Sequence, residues 1–232
     1  MKTLIAIPTY NEYENITLLL DSIFKENLNS DILFIDDNSQ DNTEKAIRLY
    51  QEKKTNIKLI SREKKMGVGS AHLKALEFAY SNKYGLLVTM DADFTHNPKY
   101  IKQMLKLNES YPVVIGSRHI EKDSIQSWPL FRKFLTYSAF YVTKNFLNID
   151  FDATNGFRSY NLKIINQNIF NKIKSQNYSF FIETSFILNK ELNVKAIPVE
   201  MPIRLAEKSK MKIIDVFVTV LLIIKLFFKR FF

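Results

Sequence analysis

Between residues 3 and 116 the hydrophobic period of the chain switches repeatedly. Short apolar runs flanked by turn residues, Thr3–Pro8, Asp31–Asp36, Asn56–Ser61, Tyr84–Met90 and Pro112–Gly116, read as strands. Amphipathic stretches near Glu14–Lys25, Thr43–Lys53, Ser70–Ser81 and Pro98–Asn108 separate them and read as helices. Two helix starts carry capping signals. Asp41 with Glu44 has the capping-box spacing, and Asn97-Pro98 puts a cap residue before a proline. Parallel strands need a long crossover, usually a helix, so this alternation predicts an α/β fold with a mostly parallel sheet flanked by helices. Ligands of such sheets bind beyond the carboxyl ends of the strands. The polar residues that follow each strand are therefore the site candidates.

Past residue 120 the pattern changes. Leu130–Leu147 is a long helical stretch carrying Phe131, Phe134, Tyr137, Phe140, Tyr141 and Phe146, too aromatic for an ordinary surface helix. The segment IDFDATNGFRSY reads as irregular, followed by helical patterns around 161–173 and 180–191 and a last strand, Val194–Val199. A charged loop, RLAEKSKMK, then leads to IIDVFVTVLLIIKLFFKRFF. There is no internal repeat, linker or low-complexity tract.

Composition narrows the chemistry. The 232 residues include no cysteine, which excludes thiolate metal sites, disulfides and a cysteine nucleophile, and permits a reducing compartment. A net charge of +9 points to an anionic partner: nucleotide, lipid phosphate, membrane surface or nucleic acid. The apolar run opening the chain is too short for a signal peptide and reads as a strand. The chain has only five glycines, where about 7% is usual. Four of them, Gly67, Gly69, Gly116 and Gly156, stand where apolar runs end and are expected to supply backbone freedom.

Met90-Asp91-Ala92-Asp93 closes an apolar run. Residues two apart on an extended chain point to one side. Two carboxylates so placed suit a hard divalent cation that keeps open positions for substrate phosphates; two acids in a turn fit the spacing as well. Ile35-Asp36-Asp37 ends the second run, where a carboxylate could bond ribose or base, or simply serve the turn. After the first run come Pro8, Tyr10 and Glu12, a ring able to stack on a base and an acceptor. GVGSAH, residues 67–72, lacks the sixth small residue of a dinucleotide fingerprint, and there is no P-loop. The histidines show no metal-ligand spacing, and His96 suits a structural hydrogen bond. Arg118, Arg132, Arg158, Arg204 and Lys210 sit near element ends around the acidic pairs, as a diphosphate site would need. No uninterrupted basic stripe suggests nucleic acid.

Taken together, IPTYNEYEN, IDDNSQDNT, GVGSAH, MDADFTHNP, GSRH, WPLFRK, DATNGFR and RLAEKSK resemble the polyprenol-phosphate (dolichol-phosphate) mannose synthases, inverting nucleotide-sugar glycosyltransferases of GT-A fold. The resemblance implies that Pro8, Tyr10, Glu12, Ile35 and Asp37 contact the nucleoside. It implies that Asp91, Ala92 and Asp93 hold the diphosphate and a Mg²⁺ or Mn²⁺ ion, with Thr95 beside them as a further ligand. Arg118, Arg204 and Lys210 would bind phosphates, and Arg132 and Thr136 would join Arg118 in gripping a lipid phosphate. Thr95, Asn42, Thr136, Asn155 and Glu207 depart from the family's usual residues, and Glu207 puts an acid in a phosphate-binding loop.

The implied reaction moves a hexose, with GDP-mannose the favoured donor, onto a polyprenyl phosphate. A phosphate monoester is largely dianionic near neutral pH, its second pKa being about 6, so it needs positioning more than a general base. Related hydroxyl-transferring enzymes carry a Glu-Asp pair in the helix after the GFR region; here Glu183 stands alone beside Thr184. The rivals are a UDP-sugar donor, a hydroxyl acceptor of surface polysaccharide synthesis, and a non-catalytic nucleotide-sugar or lipid-phosphate binding module. Residues 1–211 form the expected catalytic domain, including an interfacial helix over 129–147, and 212–232 an amphipathic membrane-associated helix. Ile213–Phe228, about 24 Å long as a helix, is interrupted by Asp215 and Lys225 and falls short of the roughly 20 apolar residues of a span. It reads as lying in the interface, ahead of a short tilted span or burial against a partner. The expected location is the cytoplasmic face of a membrane, peripheral or shallowly anchored, with room for a membrane helper subunit.

Overall fold

A computed structural model describes residues 1–202 and 213–230. The described residues form a seven-stranded mixed sheet in the order β3-β2-β1-β4-β6-β5-β7. The strands are β1 (Thr3–Thr9), β2 (Ser30–Asp36), β3 (Ile57–Ser61), β4 (Leu86–Thr89), β5 (Val113–Ser117), β6 (Arg158–Asn161) and β7 (Val194–Pro198). The helices are α1 (Tyr13–Lys25), α2 (Thr43–Lys53), α3 (Val68–Ser81), α4 (Ile101–Leu107), α5 (Leu130–Leu147), α6 (Ser179–Glu191) and α7 (Ile213–Lys229). β1 to β4 pair in parallel, as do β5 and β7. β6 alone among them runs antiparallel, between β4 and β5.

Strand alternation divides the core between the two faces of the sheet. Leu4, Ala6, Leu33 and Ile35 pack with α3 and α6, while Ile5, Ile7, Ile32 and Phe34 pack with α1 and α2. Both sets are buried, which explains why the central runs read as continuous apolar stretches.

Several expectations change. The stretch read as irregular contains β6, and the helical pattern after it is only a 3₁₀ turn over Gln167–Lys172. RSYN carries no apolar signature, because its leading residue is a fully buried arginine. The Arg158 guanidinium donates to the carbonyls of Asn155 (2.7 Å), Ala153 (3.1 Å) and Phe181 (3.0 Å) and to Ser185 Oγ (3.0 Å). It is thus an interior brace, not the loop cation expected. Asp41 does not form a reciprocal capping box; it accepts from the Thr43 and Tyr13 backbone N–H groups, and the α2 N-cap, Asn42, makes no side-chain cap bond. Asn97 does cap as expected, accepting from Lys99 N at 3.0 Å.

Backbone freedom comes mostly from asparagine. Asn11, Asn27, Asn38 and Asn148 take positive φ, with Lys83 and Phe94, whereas Gly67 is the one glycine doing so among the described residues. Asparagine tolerates this region better than most residues. Gly69 serves close packing instead: a Cβ there would fall 2.5 Å from Phe180 Cβ, so α3 and α6 could not approach as they do.

Candidate active site

The loops after β1 and β2 are bonded to one another before they meet any ligand. Asn11, in the left-handed region at φ 54°, donates its N–H to Ser39 Oγ (2.8 Å) and accepts from Gln40 N (2.7 Å). Glu12 N donates to Thr43 Oγ1 (2.7 Å). Asp36 is fully buried and accepts from Thr9 Oγ1 (2.9 Å) and from Ser39 N (2.8 Å) and Oγ (2.6 Å). Asp37 accepts from Met66 N and Gly67 N, both at 2.8 Å, and from Arg62 (3.2 Å). A carboxylate with two backbone donors and a guanidinium is a rigid post, and this one fixes the loop that opens α3.

The third loop follows β4. His96 Nδ1 accepts from Asp91 N (2.8 Å) while its ring stacks on Phe157, centroids 5.1 Å apart. The structural bond expected of His96 is therefore present. Thr95 donates from N (3.1 Å) and Oγ1 (2.6 Å) to Asp93 Oδ1. Between them Phe94 sits at φ 63°, an outlier for a bulky residue and the kind of strain found at functional loops.

These three loops, with the start of α3, α6 and the first turn of α7, enclose a cavity of about 470 Å³. Pro8, Tyr10, Glu12, Asp37, Asp91, Ala92 and Asp93 line it. Ile35 does not: the pleat turns its side chain into the core against α3. Thr95 is buried and turned onto Asp93, so it positions that carboxylate instead of facing the cavity. Among the described residues no third histidine or acid completes a cage around Asp91 and Asp93. Two carboxylates lining one cavity fit an ion that takes its remaining ligands from substrate and water.

Residues the sequence reading did not single out also line the cavity. Lys65 lies 3.5 Å from the Tyr10 ring centroid, and Asn177, Tyr178, Phe181 and Asp215 are further lining residues. Lys65 was hidden in a run of surface-like charges, and α6 and α7 reach the site only through tertiary packing. His72 lies under the cavity against Phe180 and Phe181, its ring centroid 5.4 and 5.1 Å from theirs. Burial, with the nearby Arg158 charge, pushes its pKa down to about 3, so it is neutral.

The expected phosphate-binding cations divide. Arg204 and Lys210 lie outside the described residues. Arg118 grips the buried Asp152 with two parallel bonds, Nε to Oδ2 at 2.6 Å and an Nη to Oδ1 at 2.8 Å. Burial alone would raise the Asp152 pKa, but the Arg118 charge and hydrogen bonds outweigh it and hold the carboxyl well below the usual range. Arg132 lies 3.7 Å from the centroid of the Trp128 ring. Thr136 is half-buried on α5, one turn beyond Arg132. Glu183 is buried and its Oε2 accepts from Lys174 N (3.0 Å) and Ser175 N (2.8 Å), away from the cavity.

Beside this region α5 and α7 expose apolar faces. Leu130, Phe131, Phe134 and Tyr141 of α5, and Phe217, Leu221 and Phe228 of α7, are all exposed, Phe131 by 73%. The two helices touch through Phe146 and Phe227, centroids 5.7 Å apart, and Arg230 donates to the Phe146 carbonyl. No described helix is long and apolar enough to cross a membrane.

Comparison with known proteins decides the class. The model of glycosyl transferase family 2 matches residues 4–191, most of the chain. This chain belongs to that family. It is a glycosyltransferase, and its sheet is of the GT-A type. A Micrococcus luteus protein named undecaprenyl-phosphate mannosyltransferase is 28% identical over 90% of this chain and 85% of its own. The polyprenol monophosphomannose synthase of Mycolicibacterium smegmatis is 29% identical over 90% of this chain and 81% of its own. A dolichol-phosphate mannosyltransferase of Pyrococcus furiosus is 35% identical over 61% of this chain, which spans 40% of that protein. Among solved structures, Mycobacterium tuberculosis glucosyl-3-phosphoglycerate synthase, crystallised with Mn²⁺ and UDP, shares the fold. Its TM-score is 0.68 at 14% identity, over 99% of this chain and 79% of that one.

Proposed function

We propose that this glycosyltransferase moves a hexose, mannose from GDP-mannose in the first instance, onto the phosphate of a polyprenyl phosphate, with inversion. The named activities of the bacterial relatives support the acceptor and the sugar. The observation that carries the reading is the state of Glu183. The lone acid on α6 holds two backbone N–H groups away from the cavity. It is thus not placed as the general base a hydroxyl acceptor needs. A lipid phosphate oxygen, dianionic near neutral pH, attacks without one.

In this reading Tyr10 offers its ring to the base and Glu12 and Asp37 frame the ribose. Asp91 and Asp93 would hold Mg²⁺ or Mn²⁺, whose chemistry when bound is to neutralise the diphosphate and draw charge from it as it departs. The bond from the anomeric carbon to the diphosphate breaks as the bond to the lipid phosphate oxygen forms. The chain's own contribution is positioning: Thr95 orients Asp93, His96 orients the Asp91 backbone, and Arg118 and Arg132 receive the acceptor phosphate. The exposed faces of α5 and α7 lie in the interface of the membrane that carries the lipid, on its cytoplasmic side.

The test is product analysis. GDP-mannose, UDP-glucose and UDP-GlcNAc are each incubated with a short polyprenyl phosphate or a glycan acceptor, with Mn²⁺ or a chelator. Mannosyl phosphopolyprenol formed only with the ion present is the expected product. Transfer to the glycan, with none to the lipid, would overturn the acceptor assignment; turnover of a UDP-sugar alone would correct the donor.

A further inference from the structure

Beyond the residues assigned so far, one side chain connects the cations of the acceptor region. Trp128 stands two residues before α5 and is 95% buried, being 5% exposed. Arg132 has its guanidinium carbon 3.7 Å from the Trp128 ring centroid, and Arg118 has its own at 5.7 Å. The indole is itself fixed: its Nε1–H donates to the Met201 carbonyl at 2.9 Å and reaches that of Pro202 at 3.4 Å, just beyond β7. A third restraint is the Trp128 N–H, bonded to the Ile125 carbonyl at 3.0 Å.

We propose that Trp128 is a positioning residue for the acceptor phosphate, its ring holding the guanidinium groups of Arg118 and Arg132 beside one another. The proposal rests on the reading that these two arginines receive a lipid phosphate. Like charges so near one another repel, and Arg132 in addition sits in the first turn of α5, where the helix dipole disfavours a cation. The electron-rich face of an indole offsets both effects. Stacking also differs in kind from an ion pair. It engages the plane of a guanidinium, whereas an ion pair engages its edge donors. Arg118 shows the contrast, since two of its N–H groups are already directed at Asp152. The division of labour is therefore that Asp152 anchors Arg118 by its edge and Trp128 orients Arg132 by its face.

A tryptophan whose only duty was to fill the core would produce a different kinetic signature. The decisive measurement is steady-state kinetics with GDP-mannose and a short polyprenyl phosphate in detergent. Variants Trp128→Leu, Trp128→Phe and Arg132→Ala are compared, each checked for folding by its affinity for GDP with Mn²⁺. Removing the ring in Trp128→Leu should raise the KM for the lipid phosphate about tenfold, the scale of a desolvated cation–π contact. The KM for GDP-mannose and kcat should stay within about twofold. Trp128→Phe keeps an aromatic face and should recover most of the loss. Equal rises in the Leu and Phe variants, a parallel rise in the donor KM, or an unchanged lipid KM in Trp128→Leu would each overturn the proposal. Arg132→Ala separates it from the reading beneath. An unchanged lipid KM in that variant sinks the phosphate assignment itself, whereas a raised one with Trp128→Leu unaffected sinks only the role of Trp128. Should the Leu variant not fold, Trp128→Met removes the ring at closer to the original length.

Discussion

The cavity at the ends of β1, β2 and β4 and the surface of α5 and α7 are built on opposite plans. At the cavity, polar side chains are bonded to one another and to backbone: Asp36 to Thr9 and Ser39, Asp37 to the Met66 and Gly67 N–H groups, Thr95 to Asp93. That region is organised before a ligand arrives, so binding incurs little ordering cost. On α5 and α7 large apolar side chains point outward, with no described residue covering them. A contiguous exposed apolar face marks a surface that is completed by another phase or molecule. The contrast matches the two substrates proposed. A nucleotide sugar comes from water and must be selected by fixed polar geometry, whereas a lipid phosphate comes from a bilayer.

If the contrast is real, substitutions on the two sides should fail differently. The largest effect belongs to the cavity. Asp93→Ala should lower kcat by on the order of 10³-fold, because it removes charge at the departing diphosphate, while the thermal unfolding midpoint stays unchanged. A variant retaining a tenth of the activity would break the claim that this carboxylate is catalytic. Next comes the ion pair of Arg118 with Asp152. Asp152→Asn leaves Arg118 buried without its counter-charge and should cost about 3–5 kcal/mol of stability by urea titration. The sign with pH follows from the lowered Asp152 pKa. Its stabilisation is complete above the unfolded carboxylate range and declines as pH falls through and below it. The acid-side decline should accordingly flatten in Asp152→Asn.

A smaller effect is expected of the apolar face. The double variant Phe131→Ser and Phe217→Ser should weaken binding to anionic phospholipid vesicles at least about tenfold by sedimentation, given about 1.5–3 kcal/mol per buried phenylalanine. Stability should move by less than about 0.5 kcal/mol, since both side chains are exposed. A large loss of stability would mean that the face is covered within the folded chain. The smallest effect tests the rigidity under the cavity. His72 has its pKa pushed down to about 3 from 6.5, so the unfolded chain takes up a proton there between those values and the folded chain does not. Stability should thus decline as pH falls from about 6.5 toward 3, with a slope of about 1 kcal/mol per pH unit. His72→Phe should remove that slope, measured by urea denaturation at pH 7, 6 and 5.

The elements that order the cavity were legible because each rests on a local signal. Thr43–Lys53 and Leu130–Leu147 occupy the ranges that their periodicity predicts, and β1, β2, β3, β5 and β7 lie within a residue or so of theirs. The aspartates at the ends of β2 and β4 could be read because carboxylates after apolar strands have few places to be. What stayed hidden was long-range. β6 begins with a fully buried arginine whose hydrogen bonds reach residues up to 27 positions away, so neither hydropathy nor spacing could announce a strand. Lys65 and Asp215 look like ordinary surface charges until α3, α6 and α7 bring them to one cavity. The side chain of Ile35, a residue that the resemblance sets beside the nucleoside, is turned into the core by the pleat, an orientation that the sheet decides.

By itself the amino-acid order determined the period of each segment, the ends of the strands and thereby the candidate chemistry at those ends, since such features depend on residues within a few positions of one another. Only the tertiary structure decided which face each residue occupies, that Arg118 serves Asp152, and that an antiparallel strand anchored by Arg158 lies inside the sheet between β4 and β5. These pairings join groups distant along the chain. Their energies depend on burial and approach, which no local pattern of hydrophobicity encodes.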